Sequence, residues 1–365
     1  MRPPEKRAKT RPKGLQLTDM RNNQYSFIIR RLAAVMAVLT AFMSGFFITS
    51  ASALDFDTHS KRSDYLSFLG RSIPSNNVQA LYADPEDSAS LFVGTDRGLC
   101  KYNGRNFRTY GKDAGHYRNS PVGQNINYVL PTSSEIWIAT DSGLSRYNKI
   151  LSQWTHFEQG DDNTTIPTNY IQCLYFMDPF LYVGTWGSGV SIYNVKINKW
   201  KHYTSKAGLD GKYVSAIVYD NVRGQLWFAT FDDGIYLFQN ERFIGINAKT
   251  SDLISNKVNC LAAVSGRLYI GTNEGLSVYD GNKFKSYTKE KGLGTNIILA
   301  IKADKFDIFL GTDSGLLKIY NDTVTHYPLK NSLSGGKPVR ITCIETVKNS
   351  LFLGTQHQGL IEVKR

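Results

Sequence analysis

Leu268-Tyr-Ile-Gly-Thr272, followed by Asn273-Glu274 and then Gly275, is one of seven copies of a single pattern: aliphatic, aromatic, aliphatic or aromatic, small, threonine. The others are Leu91-Phe-Val-Gly-Thr95, Ile136-Trp-Ile-Ala-Thr140, Leu181-Tyr-Val-Gly-Thr185, Leu226-Trp-Phe-Ala-Thr230, Ile308-Phe-Leu-Gly-Thr312 and Leu351-Phe-Leu-Gly-Thr355. Gly94 and Gly354 lie 260 residues apart over six intervals, a period of about 43. Each copy is followed within two or three residues by a glycine, at 98, 143, 189, 234, 275, 315 and 359. A period of that size matches one four-stranded blade, so the repeat predicts an all-β, seven-bladed β-propeller over residues 54–365.

The remainder of each period supplies the other strands. An apolar stretch before the motif, such as Val258-Asn-Cys-Leu261 or Ile171-Gln-Cys-Leu174, reads as the innermost strand. After the glycine a third strand ends in an aromatic at Tyr102, Tyr147, Tyr193, Phe238 and Tyr279. Asn103-Gly104 and Asp280-Gly281 then accept the positive φ angles of two-residue hairpins. An outer strand follows with two aromatics three apart: Phe107 and Tyr110, Trp154 and Phe157, Trp200 and Tyr203, Phe284 and Tyr287. Blades four and six keep it loosely, as Phe243 to Ile246 and Val324 to Tyr327.

The seventh period ends within its third strand, at Leu360-Ile-Glu-Val-Lys-Arg365. Tyr65-Leu-Ser-Phe68 has the outer-strand spacing and leads into Ile73-Pro-Ser-Asn-Asn-Val78, much as Leu253-Ile-Ser-Asn-Lys-Val258 leads into blade five. The N-terminal segment is therefore expected to complete blade seven, closing the ring and removing an open sheet edge.

Composition agrees with many strands and tight turns. The 365 residues are 41% apolar, 12% aromatic and 20% charged, with 31 glycines, 21 tyrosines and 19 phenylalanines, which excludes disorder and collagen-like structure. The net charge of +12 is uneven: residues 1–53 hold 9 Lys/Arg against 2 Asp/Glu, leaving 34 against 29 for the rest. That balance argues against a nucleic-acid partner. Arg30-Arg31, the apolar run Leu32 to Ile48 and small residues at Ala51 and Ala53 read as a signal peptide over 1–53, with cleavage expected after Ala53 and a possible start at Met20. The alternative is an uncleaved membrane anchor, the only membrane contact expected. In either case the bulk is expected to be exported, to the periplasm or beyond.

The run aliphatic-aromatic-x-Gly-Thr, two residues, Gly-Leu, three residues, Tyr resembles the two-component regulator propeller repeat. The likeness covers residues 63–365. It implies a periplasmic sensing module, of the kind that usually feeds a transmembrane helix and a histidine kinase. The sequence shows no kinase residues, so a binding protein that does not itself carry the kinase is expected.

The four cysteines are expected to be unpaired. Cys173, Cys260 and Cys343 lie eleven residues before the small residue of their motifs, in blades three, five and seven, a slot that holds Ala80, Ala216 and Ala300 elsewhere. Equivalent points in non-adjacent blades exceed the roughly 6 Å Cα separation of a disulfide, and Cys100 belongs to a third strand. No Cys-x-x-Cys pair, Gly-x-Ser-x-Gly elbow, His-Glu-x-x-His helix or phosphate-cradling loop occurs. His156, His202 and His326 share one place in three outer strands, as repeat copying produces. Asp161-Asp162-Asn163 lacks the alternate-position oxygens of a calcium loop. Neither cofactor nor metal is expected.

The repeat then serves as its own control for function. The connections between strands two and three emerge on the same face as those entering strand one. Most are polar, as at Asp96-Arg97, Asp141-Ser142, Asn273-Glu274, Asp313-Ser314 and Gln356-His357-Gln358, but blades three and four carry Trp186-Gly187-Ser188 and Phe231-Asp232-Asp233. The position before the inner strand reads Asn77, Asn125, Tyr170, Tyr213, Lys257, Ile297 and Arg340, so the same two blades again carry aromatics. Tyr170, Trp186, Tyr213 and Phe231, with Asp232, form the candidate ligand sector, and Lys257, Arg340, His357 and Arg97 are expected to reach in from the rim. Such rings stack on sugars, peptides or aromatic small molecules; the competing fate is packing beneath the connections 111–125 and 158–169. Three functions follow: an exported, sensor-like propeller binding an oligosaccharide, peptide or envelope glycan; a scaffold for another envelope protein; and, third, a streptogramin-lyase-like enzyme, for which His357 is the nearest catalytic candidate.

Overall fold

The protein, in the form of a computed structural model, is described over residues 66–68, 73–110, 120–160, 164–304, 306–327, 329 and 338–364. The expected signal peptide over 1–53 with its expected cleavage after Ala53, Tyr65, Asp161-Asp162-Asn163 and part of the connection 111–125 lie outside the described residues. The strands form seven four-stranded antiparallel sheets. Six sheets are built from consecutive strands, the first being Val78–Ala83, Leu91–Thr95, Gly98–Tyr102 and Phe107–Tyr110. The seventh takes Ile341–Val347, Ser350–Thr355 and Leu360–Lys364 from the C-terminal end and Leu66–Phe68 from the N-terminal end. Leu66 pairs with Val363 and Phe68 with Ile361, so the expected closure is present. Each inner strand packs against the inner strands of both neighbouring blades, and Val78–Ala83 touches Ile341–Val347, completing a ring.

The threonine and the glycine of the motif are two ends of one device. In all seven blades the threonine Oγ1 donates to the carbonyl of the following glycine, from Thr140 to Gly143 at 2.7 Å, for example, and from Thr230 to Gly234 at 3.1 Å. The same oxygen accepts a backbone N–H inside the connection, as from Ser314 at 3.0 Å. Every one of these threonines is fully buried, which a hydroxyl tolerates only when bonded. Each glycine has positive φ, near 130° in the two-residue connections of blades one, two, five and six and 72° to 82° in the three-residue ones of blades three, four and seven.

The small residue before the threonine answers to the next blade. A Cβ built on Gly94 would stand 2.6 Å from Ile126 Cγ2, and one on Gly311 2.8 Å from Ile341 Cγ2. Cys173, Cys260 and Cys343 pair with Gly184, Gly271 and Gly354, whereas Ala80 and Ala300 sit opposite Gly94 and Gly311. Blade two departs from the expected small slot, because Tyr128 stands opposite Ala139 there and packs between two core clusters. All four thiols are free, three of them in inner strands of non-adjacent blades.

Every inner strand carries an irregularity after its first residue, at 79, 127, 172, 215, 259, 299 and 342. Four of these residues stitch one blade to the next. Asn127 donates to the Ile171 carbonyl at 2.8 Å, Ser215 to Val258 at 2.6 Å, Asn259 to Ile298 at 2.8 Å and Thr342 to Val78 at 2.5 Å. Farther out, rings fill the seams between blades. Third-strand aromatics contact second-strand aromatics of the preceding blade in the pairs Tyr102–Phe352, Tyr193–Trp137, Phe238–Tyr182 and Tyr279–Trp227, with centroids 5.9 to 6.3 Å apart.

Candidate functional site: an aromatic cleft on blades three to five

The two positions singled out by the repeat are neighbours in space. The N–H of the connection's first residue donates to the carbonyl before the inner strand: Trp186 to Tyr170 at 2.9 Å, Phe231 to Tyr213 at 2.8 Å, Asn273 to Lys257 at 3.3 Å and Gln356 to Arg340 at 3.0 Å. Blades three and four are joined across their boundary, because Trp186 forms an isolated antiparallel bridge with Tyr213. Its ring lies 5.1 Å from that of Tyr213 and 5.7 Å from that of Phe231, centroid to centroid.

These three rings and Asp232 line an open cleft of about 730 Å³. Trp186 and Tyr213 remain 39% exposed, an amount that leaves ring faces open to a ligand. The three-residue connections of blades three and four hold the rings in place. The Lys212 carbonyl accepts from Gly187 and Gly189 at 3.0 and 3.2 Å, and Lys212 N–H binds the Asp232 carboxylate at 3.1 Å. Beneath them the Tyr236 hydroxyl donates to Asp233 at 2.5 Å and accepts from Gly211 N–H at 3.0 Å. Burial, reinforced by that bond to Asp233, pushes the hydroxyl well above the usual tyrosine range.

The far wall comes from the connection between blades four and five, with Ile254, Asn256 and Lys257 among its lining residues and Glu274 beyond. Asn256 fixes it, accepting from Ala248 N–H through its side chain at 2.7 Å and from Gly234 N–H through its carbonyl at 3.0 Å. Ser255 donates to Glu274 at 3.0 Å. The cleft thus offers aromatic faces beside one cation, Lys257, and two acids, Asp232 and Glu274. Of the expected rim residues, only Lys257 reaches it. Tyr170, 58% exposed, stands beside Trp186 but outside the lining. Arg340 and His357 occupy the equivalent place on blade seven and Arg97 that on blade one; none of the three is among the residues that line the cleft. Ala248, Ile254, Ser255 and Asn256 escaped the sequence reading, because it compared only the connections between strands two and three and the single residue before each inner strand.

The histidines of the outer strands are held in the fabric of the blades. His156 and His202 Nδ1 meet Ser145 and Ser191 Oγ at 3.0 and 2.8 Å, and burial lowers both imidazoles below their usual range. His326 Nε2 meets the Gly292 carbonyl at 3.0 Å. Among the described residues no group of three or more His, Cys, Asp or Glu side chains is placed to hold a metal ion.

Fold and cleft together define the class: a seven-bladed propeller with an open aromatic cleft on one face. No family model and no curated protein matches the chain. Among solved structures, the extracellular domain of a putative hybrid two-component system from B. thetaiotaomicron is similar with a TM-score of 0.70 at 20% identity, over 82% of this chain and 41% of that one. The extracellular domain of a second such system from the same organism gives 0.65 at 19%, over 79% and 40%. The chain thus spans about two fifths of their length. Catalytically inactive virginiamycin B lyase from Staphylococcus aureus, solved with quinupristin, gives 0.64 at 10%, over 82% and 99%. These likenesses establish the seven-bladed fold, and the first two fit the two-component regulator propeller family that the repeat resembles.

Proposed function

We propose that the chain is an exported, sensor-like binding propeller whose ligand, an oligosaccharide, a peptide or an envelope glycan, seats in the cleft of blades three to five. The observation that carries this reading is the coincidence of two independent departures from the repeat, Trp186 and Phe231 in one position and Tyr213 in the other, on the walls of one solvent-open cleft. Stacked rings bind sugar and peptide faces through apolar contact, while Asp232, Lys257 and Glu274 supply the few polar groups that orient a ligand. Export is supported by the leader-like residues 1–53 and by the extracellular origin of the similar propellers. A thermal-shift screen of the protein against envelope oligosaccharides and aromatic-containing peptides tests the reading. A hit whose stabilisation is lost on adding Trp186→Ala supports it. Hits that survive Trp186→Ala, or none beyond an envelope protein captured on another face, refute it.

A further inference from the structure

The seam between blades five and six differs from those before it. In blades one to five the third and fourth strands close on a pair of rings: Tyr102 and Phe107, Tyr147 and Trp154, Tyr193 and Trp200, Phe238 and Phe243, Tyr279 and Phe284, centroids 4.6 to 4.9 Å apart. Blade six pairs Ile319 with Val324 at that register. Tyr279 of blade five meets Trp227 of blade four, whereas Tyr269 of blade five meets no such ring from blade six. A groove of about 670 Å³ opens here on the face opposite the aromatic cleft, floored by Tyr269, Val278, Ile308 and Ile319. Phe306 stands at its edge, 81% exposed, the most exposed large apolar side chain among the described residues.

Charge surrounds this apolar floor. Arg267, Lys283 and Lys285 line the groove against Asp280 and Asp322. Asp322 is already engaged, by the Tyr287 hydroxyl at 2.6 Å and Lys285 at 3.0 Å, and these two bonds hold its carboxyl below the usual range. The Asp280 side chain accepts the backbone N–H groups of Asn282 and Lys283, both at 2.9 Å. Among the described residues Arg267 and Lys283 form no ion pair, though their charges help to lower the carboxyls of Asp322 and Asp280; the two exposed cations overlook walls that are themselves packed, with Phe306 as the widely exposed ring.

We propose that this groove is a second ligand site, for a small aromatic anion. The incoming ring lies in the groove against Phe306 and the outer edge of Tyr269, whose flank Ile319 and Val324 already pack, and the anionic group lies between Arg267 and Lys283. The volume falls in the range of small-molecule sites, roughly 300 to 1,000 Å³. The site is independent of the aromatic cleft, and either can fail without the other.

The test compares the fluorescent probes 8-anilinonaphthalene-1-sulfonate and its neutral counterpart N-phenyl-1-naphthylamine. The parent protein is expected to bind the sulfonate at one site. Restoring the rings with Ile319→Tyr and Val324→Trp should weaken both probes by at least about tenfold, the scale of one lost apolar contact set. Arg267→Gln with Lys283→Gln, both exposed and so harmless to folding, should weaken the sulfonate by about tenfold and leave the neutral probe within about twofold. The proposal is overturned if the sulfonate fails to bind, if binding survives the filled groove, if the charge variants act equally on both probes or on neither, or if Trp186→Ala abolishes the signal. Should the filled variant not fold, the charge variants alone decide.

Discussion

Thr312 shows how much one residue of the motif carries. Its buried Oγ1 donates to the Gly315 carbonyl at 2.7 Å and accepts from Ser314 N–H at 3.0 Å. Thr312→Val keeps the shape and removes both bonds, so urea denaturation should show a loss of about 1–3 kcal/mol. A variant as stable as the parent would mean that the hydroxyl does not close the hairpin. The thiols give a second expectation. Burial pushes Cys100 and Cys343 up to about 12, so at pH 8 both native thiols stay almost wholly protonated. Native protein should resist iodoacetamide at both, and denatured, unreduced protein should alkylate at all four cysteines. A pair that stays blocked after denaturation would disprove the blade placement. At this scale the sequence was readable wherever a residue repeats, since Thr and Gly each answer one geometric demand seven times and the Cys or Ala slot does so six times. Tyr128 was not, because its accommodation depends on packing between blades that no single repeat records.

At the scale of the element, the strand Leu66–Phe68 closes the ring. It covers Leu360–Lys364, whose Leu360, Ile361 and Val363 are fully buried in the closed ring. A truncation beginning at residue 74 strips the ladder and leaves an exposed edge, at a cost of about 3 kcal/mol or more against a typical margin of about 5–15. Its melting temperature should fall by several degrees and its tendency to aggregate should rise. Unchanged melting would show that blade seven is stable with three strands. This closure could be read in advance because the outer-strand spacing is copied, as were the four strands of every blade. The connection of residues 247–257 could not. It follows a loosely kept outer strand, and although its bonds recur elsewhere, Asn256 to Ala248 as Asn296 to Lys289 and Ser255 to Glu274 as Thr295 to Asp313, only the assembled ring puts it beside Trp186.

For the whole molecule, the ring separates two faces with different departures from the repeat: added rings on blades three and four at one face, and a missing pair in blade six at the other. The first was legible as a deviation in two aligned positions, though the sequence alone spread the site as far as Arg340 and His357. The cleft proposed as the site is lined from blades three to five and does not include Arg340 or His357. The second stood in the sequence as Val324 to Tyr327, but its consequence depends on which blade each ring faces, and that requires three dimensions. The central claim is that the aromatic cleft binds a ligand rather than supporting the fold. The most direct measurement is the double variant Trp186→Ala, Phe231→Ala, scored for both melting temperature and affinity toward the best ligand of the thermal-shift screen. With Trp186 39% exposed and the cleft open, melting should stay within a few degrees of the parent, while affinity falls by at least about tenfold, as for an interface hot spot. Lost stability of about 3–5 kcal/mol with unchanged affinity per folded molecule would contradict it, placing the rings in the core.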